Sequence, residues 1–572
     1  MLNNFTYSLP EELAGAVRGK TEEWLTEDKI SRIWARDASV WTNTDEAKWL
    51  GWLDVAGREL DGLQKYRDFA AEVREFDDVV LLGMGGSSLC PEVLALTFGV
   101  SNFHVLDSTV PAQVKTVENK VNLASTLFIV ASKSGSTLEP NCFKQYFYER
   151  VATVVGRENA GKHFVAITDP GSKMQQVAEA DGFRRIFFGD PEIGGRFSAL
   201  SVFGMAAAAA MQLDVEKFLT GAQLMGKACR APDPQENPGA MLGLILAVCR
   251  QKGRDKFTVF TSPEIYDVGA WLEQLVAEST GKNGVSIIPI DREPVLQPSK
   301  DGTKSFYGKD RVFVHLKLGN SQTDEDTLGA LQELERSGHP FITIELENVS
   351  DLGQEFFRWE FATAVAGAGM GIHPFNQPDV ESAKIEARKI TNEYEQTGEL
   401  PAETPFFEEN GIALFTGEKY AAQLKEAANE ISLAGYLKAH IGNLGENDYF
   451  ALLAFVEMNE ENAELLQKMR VRILEINAVA TCLGFGPRFL HSTGQAYKGG
   501  ANNGLFLQVT SDDAADLPVP GQSYTFGVVK AAQARGDFQV LLDRNRRALR
   551  VHLGADVKTG LETLNRLLSE TV

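Results

Sequence analysis

Short apolar runs that end in glycine, serine or aspartate, followed by stretches with helical spacing, recur along most of this chain. The first series begins at Asp77. DDVVLL leads into GMGGSS, FHVL follows, STLFIVA leads into SKSGST and a helix at 139–151, and HFVAITDP and RRIFF close the series ahead of GGRFS. Strands alternating with helices predict a parallel sheet with helices on both faces. A second series starts near Lys256 with KFTVF and continues through GVSIIPI, RVFVHLKL and PFITIEL, with helical stretches at 362–370 and 378–395. The fold class expected is therefore α/β, with two doubly wound parallel-sheet subdomains at 76–235 and 236–395. Ahead of them, residues 1–75 read as a mostly helical segment in which Trp24, Trp34, Trp41, Trp49 and Trp52 are large packing anchors. Behind them, the proline-containing stretch ELPAETPFFEENG opens a third, C-terminal α/β unit at 396–572. It carries DYFALLAFVEM, a helix at 462–473, GLFLQVT, RVHLGAD and a loop with His491.

Composition narrows the function classes. The chain has 572 residues, 44% of them hydrophobic, which suffices for several cores. Its formal charge of −22 opposes nucleic acid and anionic membrane, so neither is expected as a partner. An anionic small molecule stays open, because local amides and one or two cations override the global field. The five cysteines show no C-x-x-C pair and are odd in number, so reduced thiols in a cytoplasmic protein are expected. The N-terminus lacks the pattern of a signal peptide, and the longest apolar stretch, around 199–213, is Ala-rich and short for a bilayer.

Several places can carry chemistry. Gly83–Ser88 follows a strand directly; its glycines let the backbone approach an anion, although a plain strand–helix turn would look the same. Ser132, Lys133, Ser134, Gly135, Ser136 and Thr137 set four hydroxyls and a cation at a helix start, which suits a phosphate dianion and also suits an ordinary N-cap. Two such loops at strand ends of one sheet favour the phosphate reading. Gly194-Gly195-Arg196 allows close approach of a guanidinium. Gln274 and Glu278 share a helix face, and a partly buried Glu278 suits a base that returns its proton. Gln377 and Lys384 are two helical turns apart and are expected on one face. No two of the eight histidines are spaced as a helix-borne metal pair, so no metal is expected. His491, in RFLHSTGQAYKGG, is a candidate acid/base or a structural histidine.

Taken in order, GMGGSSLCP, SKSGSTLEP, GGRFS, QLVAESTGK and FNQPDVESAK resemble the motifs of the phosphoglucose isomerase family, over roughly 76–390. The LHSTGQ segment at His491 resembles the LHS-x-GQ segment of bacterial members, displaced here beyond Lys384. That order, with the third unit and RIWARDASVWT, is similar to the isomerase half of transaldolase/glucose-6-phosphate isomerase fusion proteins. The resemblance implies SIS-like subdomains and an aldose–ketose isomerase that needs no cofactor. It implies that Ser87, Ser132, Lys133, Ser134 and Thr137 hold the phosphate and that Gly86 admits the substrate. It further implies Glu278 as the base between C2 and C1, Arg196 as the partner of the enediolate, Lys384 and His491 in ring opening, and Gln274 and Gln377 in positioning the sugar. Mannose 6-phosphate as a second substrate, a purely sugar-phosphate-binding regulatory module, and a homodimer or a self-complete monomer all remain open.

Overall fold

The alternation of apolar and helical segments folds into three sheets. In the computed structural model, which describes residues 1–296 and 306–570, the strands are β1 (Asn4–Ser8), β2 (Asp78–Leu82), β3 (Phe103–Leu106), β4 (Thr126–Ala131), β5 (Phe164–Thr168), β6 (Arg185–Phe188), β7 (Lys256–Thr261), β8 (Ile288–Ile290), β9 (Arg311–Leu318), β10 (Phe341–Leu346), β11 (Phe407–Glu409), β12 (Ile412–Phe415), β13 (Tyr449–Phe455), β14 (Ala480–Phe485), β15 (Gly504–Ser511) and β16 (Arg547–Leu553). The first sheet has the order β3-β2-β4-β5-β6, parallel throughout. The second has the order β1-β10-β9-β7-β8, and the third β11-β12-β16-β15-β13-β14. Every residue of β4, β13 and β15 is buried, as expected for parallel strands covered on both faces. The chain forms two compact units: Met1–Asp107, Val117–Arg292 and Val312–Asn376 make the first, and Ser108–Thr116, Glu293–Arg311 and Gln377–Val572 the second.

Chain order against strand order locates the crevices. In the first sheet the chain goes from β2 to β3 on one side, then crosses to β4 on the other. The helices of successive crossovers therefore diverge between β2 and β4, leaving a crevice at their carboxyl ends, where ligands gather in such sheets. The third sheet repeats the pattern, moving from β13 to β14 and then back past β13 to β15. There the crevice residues are already engaged: Thr116 Oγ1 donates to Glu457 (2.5 Å), Met458 N–H to Gln113 Oε1 (2.9 Å) and Thr109 Oγ1 to Gln533 Oε1 (2.6 Å).

Some elements depart from the sequence reading. Residues 4–8 lie in a stretch read as mostly helical, yet form β1, because pairing antiparallel with the edge strand β10 satisfies their backbone. The helix expected from 362 starts at Leu352. Its first part is buried all round, so it has no polar face to reveal it, and it encloses charged residues. Two of those charges are matched locally: Arg358 pairs with Glu355 at 3.3 Å, Asn3 Nδ2 donates to Glu355 at 2.8 Å, and Arg358 donates to Asn3 O at 3.0 Å; at Glu360, burial pushes the carboxyl well above the usual carboxylate range. No described helix is long and apolar enough to cross a membrane; the Ala-rich run forms the buried helix Val202–Ala210.

Candidate functional site

The first-sheet crevice is lined by the two loops singled out in the sequence. Leu82 ends β2 and runs into Gly83–Ser88; Ala131 ends β4 and runs into Ser132–Thr137. In the first loop, Gly85 has φ +54°, a conformation open to glycine, and Gly85–Ser87 make one 3-10 turn. Gly86 is required by its neighbour: a Cβ there would lie 2.0 Å from Gly195 O and 2.9 Å from Arg196 N. The close approach that Gly86 permits is therefore between two loops of the protein, and it sets the Arg196 backbone against the glycine turn. Ser87 is the last residue of that turn, its N–H bonded to Met84 O at 3.1 Å.

The hydroxyl loop is only partly self-satisfied. Ser132 is buried, and its Oγ lacks a hydrogen-bond partner. Ser134 Oγ lies 2.8 Å from Ser136 Oγ and accepts the Ser136 N–H. Thr137 occupies the N-cap of the helix Leu138–Val155 without a side-chain capping bond, so the hydroxyls are not spent on capping. Gly135 (φ +65°) lets the loop turn against Met174 N, which a Cβ would meet at 2.1 Å. Lys133 Nζ donates to Asp169 at 2.9 Å and to Asp190 O at 3.0 Å. It thus ties this loop to the segment that leads from β6 to Arg196.

Arg196 sits in the 3-10 turn Gly195–Phe197, buried at 3% exposure. Its guanidinium is held from several sides. Nε donates to Ser279 Oγ (2.7 Å), and Nη2 donates to Pro374 O (2.6 Å) and Asn376 O (3.0 Å). Nη1 faces Glu278 Oε1 at 3.5 Å, an ion pair longer than a direct charge-assisted hydrogen bond. Burial draws the guanidinium below its ordinary pKa, and the Glu278 carboxylate opposes that shift. Glu278 ends an apolar face of the helix Val268–Thr280, which also packs on the glycine turn and the Arg196 turn. Gln274, one helical turn earlier, donates from Nε2 to Glu278 Oε2 at 3.3 Å. Lys282 Nζ reaches back to Glu278 O (2.9 Å) and Ser279 O (2.6 Å), a cation on the last carbonyls of that helix. The outcome is a buried carboxylate and a buried guanidinium, each immobilised by other groups, beside a crevice with unspent hydroxyls. That arrangement can hold a phosphate, move a proton and stabilise a developing oxyanion.

The second unit carries the remaining candidates. Gln377 and Lys384 do not share a helix face as expected. Pro378 begins the helix Pro378–Thr397, and Gln377 is its cap, with φ −149° and ψ 66°; the residue before a proline is pushed out of the helical region. Lys384 projects from the helix and pairs with Glu381 at 2.9 Å. His491 ends the 3-10 turn Arg488–His491 and is part-buried. Gln495, just after it, binds the first turn of the Lys384 helix: its Oε1 accepts the N–H groups of Asp379 (2.9 Å) and Val380 (3.2 Å), and its Nε2 donates to Asp379 Oδ2 (2.8 Å). Hence the HSTGQ segment and the Lys384 helix are one assembly. Sequence reasoning missed Ser279, Lys282 and Gln495. The Gly281–Lys282 pair after an apolar helix was a readable end signal for Lys282; Ser279 and Gln495 act through contacts that no local pattern announces.

A phosphoglucose isomerase family model matches residues 67–293. A glucose-6-phosphate isomerase from Gloeothece citriformis is 30% identical over 404 residues, 61% of this chain and 76% of that protein. A probable glucose-6-phosphate isomerase from Methanococcus maripaludis is 26% identical over 407 residues, 64% of this chain and 89% of that protein. Among solved structures, a hypothetical protein from Thermus thermophilus superposes with a TM-score of 0.58 at 24% identity, over 67% of this chain and 99% of its own. A glucose-6-phosphate isomerase from Chlamydia trachomatis does so with a TM-score of 0.52 at 20% identity, over 69% and 89%, a likeness of fold.

Proposed function

The chain belongs to the glucose-6-phosphate isomerase family, and from that premise we propose that it interconverts glucose 6-phosphate and fructose 6-phosphate through an enediolate. The observation that carries the mechanism is the buried Arg196–Glu278 pair beside the first-sheet crevice. Isomerisation requires removal of the weakly acidic proton α to a carbonyl and its return to the adjacent carbon. Glu278 is the base that shuttles this proton between C2 and C1, and Gln274 holds its carboxylate in one orientation. As the proton leaves, charge builds on the carbonyl oxygen. A guanidinium fixed by Ser279, Pro374 and Asn376 stabilises that charge without reorganising and keeps its own proton.

The phosphate is placed by Ser132, Ser134 and Thr137 with Ser87, remote from the reacting carbons, so its binding energy orients C1 and C2. Lys133 adds positive charge while bracing the loop through Asp169. Gly86 acts by bringing the Arg196 turn close. A cyclic substrate must open first, which needs a donor and an acceptor; His491 with Lys384 takes this part, and Gln377 positions the sugar. Whether the active species is a homodimer or a self-complete monomer is read from turnover measured on dilution through the association range of a dimer.

The test is a coupled assay of fructose 6-phosphate conversion, with mannose 6-phosphate run in parallel and chelator present. Turnover of fructose 6-phosphate to glucose 6-phosphate is expected to survive chelation. Binding of sugar phosphate without turnover would leave the site as a sensor and end the enzymatic reading.

A further inference from the structure

His373 is in direct hydrogen-bond contact with the turn that holds Arg196. It lies three residues after the helix Leu352–Met370 and is 7% exposed. Its Nδ1 accepts the Phe375 N–H at 3.1 Å. Its Nε2 lies 2.8 Å from Asp45 Oδ1. Since Nδ1 accepts, the proton of the neutral ring is on Nε2 and is donated to Asp45. Asp45 is itself oriented, its Oδ2 accepting from Trp49 Nε1 at 3.3 Å. The residues flanking Phe375 supply the two carbonyls, Pro374 O and Asn376 O, that receive Arg196 Nη2.

The Phe375 ring is wedged into the same structure. It packs edge-on against Phe197, next to Arg196, at 5.2 Å between centroids, and against Trp41 at 5.5 Å. The turn Pro374–Asn376 has no ladder or helix to hold it, so its geometry depends on what its own N–H groups and side chains touch. We propose that His373, oriented by Asp45, is a positioning residue for the isomerisation: by accepting the Phe375 N–H it sets the carbonyls that aim Arg196 at the enediolate oxygen. A carboxylate, an imidazole, a backbone turn and a guanidinium thus form one chain of support ending at Glu278. Removing the acceptor leaves the Phe375 N–H buried and unpaired, and the turn relaxes to satisfy it at the expense of the two carbonyl positions. Because Arg196 meets charge that exists only along the reaction path, the defect falls on kcat and spares KM.

The inference rests on the reading of Arg196 given above, and the variants separate the two. His373→Leu is expected to lower kcat by about 10- to 100-fold with KM for fructose 6-phosphate within about 3-fold. His373→Asn, whose Oδ1 can take the place of Nδ1 as acceptor for the Phe375 N–H, is expected to recover kcat to within about 3-fold of the parent. Asp45→Ala, which frees the ring without removing the acceptor, should fall between them. An Arg196→Met variant with parental turnover would sink the reading of Arg196. An inactive Arg196→Met beside a His373→Leu with parental kcat overturns the present inference alone. So does a His373→Asn as slow as His373→Leu when both melt at the parental temperature, since the acceptor would then not be what matters.

Discussion

The first and third sheets have the same kind of reversal in strand order and use it in opposite ways. Between β2 and β4, the carboxyl ends open into loops of glycine and hydroxyl residues, with Ser132 Oγ buried and unpartnered. Between β13 and β15, the corresponding position is taken by Ser108–Thr116, whose Thr109, Gln113 and Thr116 spend their polar groups on Gln533, Met458 N–H and Glu457. Topology creates a crevice in both; the residue types at its rim decide whether it stays available. Small residues with unspent donors leave room for a ligand, while medium-sized amides and hydroxyls paired inside the protein fill it. A doubly wound sheet is therefore not by itself a binding domain.

The comparison is broken most severely at the base. Glu278→Gln is expected to lower kcat by about 10²–10⁴-fold while sugar-phosphate affinity changes little; single-turnover rates with equilibrium binding check this, and a rate within a few-fold of the parent removes Glu278 from the role. Gly86→Ala tests whether the rim of the first crevice needs its small residue. The added Cβ at 2.0 Å from Gly195 O must push the Arg196 turn away, and a displacement on the order of 1 Å costs about 10²-fold in turnover. Steady-state kinetics on a variant that retains its fold by circular dichroism would read it.

Acid sharpens the contrast through stability. Burial pushes His440 in the second unit down to about 3 and His315 in the first to about 4. The unfolded chain takes up these protons near the ordinary value of about 6.5, so their contribution is complete above that pH and is lost as pH falls towards the folded values. At pH 5 each such group costs about 2 kcal/mol relative to neutral pH. Urea melts at pH 7.5 and 5 should show the loss, and His440→Gln should flatten the part belonging to the second unit. The smallest effect is expected at Thr116→Val, which removes one bond in the filled crevice: about 1 kcal/mol in stability and no change in KM. A raised KM for sugar phosphate would show that the third sheet takes part in binding and would end the contrast.

Much of this was legible in the chain. Apolar runs ending in glycine or serine place the strands only roughly, but they locate both loops of the first crevice, since β2 and β4 end directly before Gly83 and Ser132. The four-residue spacing of Gln274 and Glu278 likewise foretells a shared face, and the two side chains touch. These features are local: strand burial, turn chemistry and helical periodicity are properties of neighbouring residues. Other features depended on partners far along the chain. β1 is a strand because β10 offers an edge, and the helix from Leu352 hides its pattern because it is buried on all sides. Gly86 answers to Gly195, not to its own turn. By itself, then, the sequence determined the alternating α/β plan and the identity of the loops and charged residues beside them. Only the tertiary structure decided which guanidinium meets Glu278, which carbonyls hold it, and which of two similar crevices stays unfilled, because buried polar groups must find partners wherever the fold brings them.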